Sequence, residues 1–105
     1  MRTLRFIADG QKLTRDPACD FGGLVAGSSG YLQAAFDLSG DWAGCAVAAS
    51  FFSQDGRETA VPVQGGRCTI PKEALGGQLF AVRLTGQRAG MRIKTNKIYL
   101  RQEAG

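Results

Sequence analysis

Two pairs of carboxylates lie close enough along the chain to suggest acid–base work: Asp37 with Asp41, and Asp55 with Glu58. A catalytic pair needs environments that push the two pKa values apart, so that one group donates a proton while the other accepts. Both pairs flank turns, where aspartate commonly hydrogen-bonds the backbone instead, so neither is expected to catalyse. The 105-residue chain contains no histidine. Its absence removes the commonest general base, the commonest zinc ligand and every serine or cysteine triad built on imidazole. The glycines from Gly22 to Gly30 lack the lysine of a phosphate-binding loop and do not sit between a strand and a helix. The sequence therefore predicts a protein that is not an enzyme and takes no cofactor and no metal.

The remaining chemistry is that of contact. Between Glu73 and Glu103 no acidic residue occurs, while Arg83, Arg88, Arg92, Lys94, Lys97 and Arg101 all fall in that interval, within a formal net charge of +4. Such a run attracts phosphates or an acidic protein surface. Alternatively, it only keeps two strands wet and discourages edge pairing. Exposed aromatics are not interleaved with these cations in the sequence as base stacking requires, so nucleic acid is not the expected partner. Trp42 is the only tryptophan and lies in Asp41-Trp42-Ala43-Gly44. If exposed, it would stack on a sugar or plug a partner's pocket; if folded over a sandwich end, it would close the core. The cysteines, Cys19, Cys45 and Cys68, form an odd set without metal-knuckle spacing. All three are expected as free thiols, with Cys45 and Cys68 acting as small core residues in a protein made in the cytoplasm.

These residues need strands to position them. Leu4, Phe6 and Ala8 alternate with Arg5 and Ile7, and Leu32, Ala34, Phe36 and Leu38 with Gln33, Ala35 and Asp37, the pattern of strands with a half-buried or wet face. The segment Cys45–Gln54 is apolar on both faces, with Val47, Ala49 and Phe51 on one and Ala46, Ala48 and Phe52 on the other, which predicts a central strand. Asp55-Gly56 turns it into Val61 and Val63, where Pro62 implies an edge or bulge. From Asp16 to Gly30 turn formers surround Phe21, Leu24 and Val25, giving a loop with an apolar anchor. Pro71, followed by Lys72, Glu73, Ala74 and Leu75 and then Gly76-Gly77, predicts one helical turn and its stop. Phe80, Val82 and Leu84 then share an inward face.

Met91 and Ile93 point inward at odd positions, but Ile98 and Leu100 do so at even ones. The parity change predicts a bulge or sheet switch at Thr95-Asn96. A bend there would leave an unpaired edge for docking, kept soluble by Arg92, Lys94 and Lys97.

Short strands punctuated every 8–12 residues or so are the signature of a sandwich or small barrel. The fold expected is all-β, an immunoglobulin-like two-sheet antiparallel sandwich of seven or eight strands with one short helical turn. The predicted shared core is Phe36, Val47, Phe51, Ile70, Phe80, Val82, Leu84 and Ile93. One domain is expected over residues 1–102, with a loose C-terminus at 103–105. Neither a signal peptide nor 18 consecutive apolar residues occurs, so neither export by that route nor a membrane partner is expected.

One further pattern runs through the second two-thirds of the chain. Phe36-Asp37-Leu38 is followed by Asp41-Trp42-Ala43-Gly44, then Phe51-Phe52, then Cys68-Thr69-Ile70-Pro71 with Glu73 and Leu75. It continues through Gln78-Leu79-Phe80-Ala81-Val82-Arg83-Leu84-Thr85-Gly86 to Lys94-Thr95-Asn96-Lys97-Ile98-Tyr99-Leu100. This order resembles the small sandwich domains near the start of tail and baseplate proteins in siphophages and prophages of Gram-positive bacteria. The likeness spans about Tyr31 to Arg101. It implies a structural virion component without catalysis or cofactor, whose partners are other tail or baseplate proteins or further copies of itself. The residues expected at such a contact are Trp42, Arg92, Lys94, Asn96 and Lys97. The competing expectation is a carbohydrate-binding or adhesion module, with Trp42, Tyr31 or Tyr99 as a platform for a surface glycan beside Asp41 and Asn96.

Overall fold

The computed structural model describes residues Met1–Gly105. Nine strands follow one another as β1 (Arg2–Asp9), β2 (Lys12–Arg15), β3 (Leu32–Leu38), β4 (Ala46–Phe52), β5 (Glu58–Val63), β6 (Arg67–Thr69), β7 (Leu79–Arg88), β8 (Met91–Lys94) and β9 (Ile98–Arg101). The first sheet has the order β2-β1-β3-β6; the second has the order β5-β4-β7-β8, and β9 also pairs β7. The count exceeds seven or eight because β8 and β9 are separate strands that share one edge of β7, at Thr85–Arg88 and Leu79–Val82 respectively. All strand pairs are antiparallel except β1 with β3, which run parallel with Phe6 opposite Phe36.

Period-two alternation places Leu4, Phe6 and Ala8 of β1 and Phe51 of β4 in the space between the sheets, with Phe80, Val82 and Leu84 of β7. Of the predicted core, Phe36, Phe51, Ile70, Phe80, Val82 and Leu84 are buried, while Val47 and Ile93 are only partly covered. These two flank Gly86 in one row across the second sheet. The 16–30 loop is anchored as expected, by Leu24 in the core and by Phe21 edge-on to Phe6, their ring centroids 5.5 Å apart. Val25 is exposed.

The turn after Pro71 is a 3-10 turn over Lys72–Ala74, and a second one, Gly40–Trp42, precedes β4. One side of the sandwich is closed by Gly65-Gly66, both at positive φ, which carry β5 of one sheet into β6 of the other. Only glycine takes two such residues in succession without a steric penalty. The expected loose tail is tied at its start: Glu103 donates its N–H to Leu24 and accepts that of Ala26.

All three cysteines are free thiols; Cys68 is buried, and Cys45, expected in the core, is half-exposed. Burial pushes the Cys68 thiol from the ordinary 9.0 up to about 11. An unfolded chain would release this proton first, so Cys68 contributes stability in full below pH 9 and loses it as pH rises to about 11. The urea midpoint of the wild type should therefore fall more steeply than that of Cys68→Ala between pH 9 and 11. Parallel curves would show that the thiol does not titrate differently on folding.

Candidate functional site

The outward residues of the second sheet follow from its register. Since Phe80, Val82 and Leu84 point inward, Leu79, Ala81, Arg83 and Thr85 point out, and the pairing sets Tyr99 beside Ala81, Arg101 beside Leu79, Lys94 beside Thr85 and Arg92 beside Gln87. With Lys97, this face carries five of the cations from the C-terminal run. Arg88 has the opposite parity on β7 and donates to the carbonyl of Ala43. The single salt bridge of the molecule is Arg57 with Asp55, 3.4 Å apart in the β4–β5 turn. The five cations therefore have no carboxylate partner, and Glu58, opposite Phe52 on β5, is the acidic residue that shares the face.

Phe52 points to this outer side, because Phe51 fills the core, yet it is only 9% exposed. Two cations cover it: Lys97 Nζ lies 3.9 Å and Arg83 Cζ 5.3 Å from its ring centroid. The electron-rich ring face attracts both and holds like charges together. Arg83 Nε is buried without an acceptor.

Tyr99, 56% exposed, stands beside this cluster and separates two concavities. One, of about 280 Å³, lies between Phe52, Leu79, Tyr99 and Lys97 with Ser53 and Gln54 on its rim. The other, of about 450 Å³, lies between Tyr99, Leu79, Phe21, Arg15 and Arg101. The second repeats the construction of the first, with Arg15 Cζ 5.3 Å from the Phe21 ring. Arg15 also donates to the Tyr99 carbonyl at 2.6 Å, tying β2 to β9.

Of the residues expected at a contact, Lys97, Arg92 and Lys94 lie on this face; Trp42 and Asn96 do not. Trp42 is 3% exposed, its Nε1–H donating to the Gly10 carbonyl at 3.0 Å while its ring covers Gly86. It closes the end of the sandwich and cannot stack on a glycan. Asn96 imitates a strand residue: Oδ1 accepts the Leu13 N–H at 2.8 Å and Nδ2 donates to the Leu13 carbonyl at 3.1 Å. Thr95 fills the bend beside it, donating its N–H to Leu84 O and accepting the Leu84 N–H on Oγ1, both at 3.0 Å. The break between β8 and β9 is thus sealed against β2 and β7, and is not the open docking edge expected.

Of the four carboxylates, Asp55 is the one that bonds its own turn. Asp55 accepts from the Ser53 hydroxyl and the Arg57 N–H; these bonds, with the Arg57 charge, hold its carboxyl below the usual range. Asp37 faces outward from β3 beside Arg5 and Arg67, while Asp41 approaches Gly10. No group of three or more His, Cys, Asp or Glu is placed to hold a metal ion, and no helix is long and apolar enough to cross a membrane.

No protein-family model, curated protein or solved structure matches this chain. The site must therefore be read from its own chemistry. Sequence reasoning found the cations but missed Phe52, Phe21, Arg15 and the setting of Tyr99. The signal open to it was the alternation Lys97-Ile98-Tyr99-Leu100-Arg101, which puts an aromatic between two cations on one side of an extended chain.

Proposed function

We propose that this chain is a non-catalytic interaction domain that docks on an acidic protein surface through the outer face of its second sheet. The observation that carries the reading is the gathering of Arg83, Arg92, Lys94, Lys97 and Arg101 on one face with no ion pair among them. Complementary charge across an interface speeds encounter and fixes register, whereas unpaired cations on an isolated surface add repulsion. The resemblance to tail and baseplate domains supplies the setting: assembly with other virion proteins or with further copies of the chain. Burial of Trp42 takes the strongest platform away from the glycan reading.

The double variant Arg92→Glu/Lys94→Glu tests the proposal, since both side chains are exposed and belong to neither concavity. It should fold normally, and its association, by light scattering of the pure protein and by co-purification with neighbouring gene products, should weaken as high salt weakens the wild type. Association unchanged by the reversal would place the interface elsewhere.

A further inference from the structure

The two concavities that flank Tyr99 adjoin along Tyr99 and Leu79, as two halves of a groove. Each has among its lining a phenylalanine whose ring face is capped by a cation, Lys97 on Phe52 and Arg15 on Phe21, and both share Tyr99 and Leu79 as walls. We infer that this groove binds an extended acidic peptide segment that places one apolar side chain on each side of Tyr99 and carboxylates on the flanking cations. The inference rests on the interaction reading above and names the partner's chemistry.

An extended chain sets side chains i and i+2 on one side, about 6–7 Å apart, so neighbouring apolar pockets separated by one wall suit it. Carboxylates at i−2 and i+4 would then reach Lys97 and Arg83 at one end and Arg15 and Arg101 at the other. Strand addition is not the mode, because the Tyr99 carbonyl on the β9 edge already accepts from Arg15. Recognition therefore runs through side chains. A single-stranded nucleic acid fits less well: stacking needs successive open aromatic faces, and Phe52 and Phe21 are covered. Tyr99 is then the exposed aromatic of this face, since Tyr31 immediately precedes β3 of the other sheet.

The test is fluorescence anisotropy with a labelled peptide Glu-Glu-Phe-Ser-Phe-Glu-Glu, compared with its Phe-to-Ala and Glu-to-Lys forms and with labelled oligothymidylate. The acidic aromatic peptide should bind saturably and more tightly than the other three. Lys97→Met and Tyr99→Ala should each weaken it at least tenfold, with Arg101→Gln as a milder third variant; unchanged unfolding midpoints show that each still folds. The inference is overturned by no saturable binding, by affinity indifferent to Lys97→Met and Tyr99→Ala, or by tighter binding of oligothymidylate. Failure here with Arg92→Glu/Lys94→Glu still weakening association removes the groove and leaves the interaction reading standing. Failure of both tests removes both.

Discussion

Trp42→Ala is expected to destabilise the domain by about 3–5 kcal/mol, a large fraction of the 5–15 kcal/mol or so that holds a typical domain folded. Three losses coincide. The largest side chain of the core leaves a cavity over Gly86, the Gly10 carbonyl loses its donor, and the row Val47–Gly86–Ile93 is opened to water. The fit is mutual: a Cβ on Gly86 would stand 2.8 Å from Trp42 Cε3 and Cζ3, so the strand is bare where the indole lies. Chemical unfolding followed by far-UV circular dichroism measures the effect. In the wild type, the emission of this sole tryptophan should be shielded from acrylamide until the chain unfolds. A loss below about 1 kcal/mol, or native emission quenched like that of free indole, would mean that the ring does not close the core.

How far the sequence reports the structure depends on what each pattern encodes. Alternation at Leu4, Phe6 and Ala8, or at Phe80, Val82 and Leu84, states which side of a strand is wet, and the buried face follows. It does not state which strand lies alongside, so the parallel pairing of β1 with β3 left no trace. Trp42 was ambiguous for a similar reason: a 3-10 turn has no period to read, and burial there depends on a glycine in β7. Asn96, an exposed residue, was expected at a contact because the backbone it bonds, that of Leu13, is 83 residues away. The parity change around it was legible, but the hydrogen bonds that seal it were not.

The groove shows the same limit in functional form. Three of its cations, Arg83, Lys97 and Arg101, were visible in a run lacking acids, and that run does lie mostly on one face. Phe52 looked like one side of a doubly buried strand, and it is indeed nearly buried; what covers it is Lys97 and Arg83, not another layer of the fold. Arg15 and Phe21 reach the second concavity from the other sheet and from a loop. Only a closed sandwich brings such distant residues to one tyrosine.

Phe80→Ala separates stability from recognition in this part of the molecule. Phe80 is 1% exposed and pairs with the fully buried Leu100 on the inner side of β7, while its neighbours Leu79 and Ala81 face the groove. Truncation should cost about 3–5 kcal/mol, the usual range for a buried phenylalanine whose surroundings relax only in part. At roughly 4–8 °C of midpoint per kcal/mol for a domain of this size, the loss is plain in a thermal scan. The slope of stability against urea should stay that of the wild type, because the same surface is exposed on unfolding. Lys97→Met should behave in the opposite way, with its midpoint held and its peptide affinity lost. A Phe80→Ala protein within about 1 kcal/mol of the wild type would show that β7 does not turn this residue to the core. The assignment of Leu79, Ala81 and Arg83 to the outer face would then fall with it.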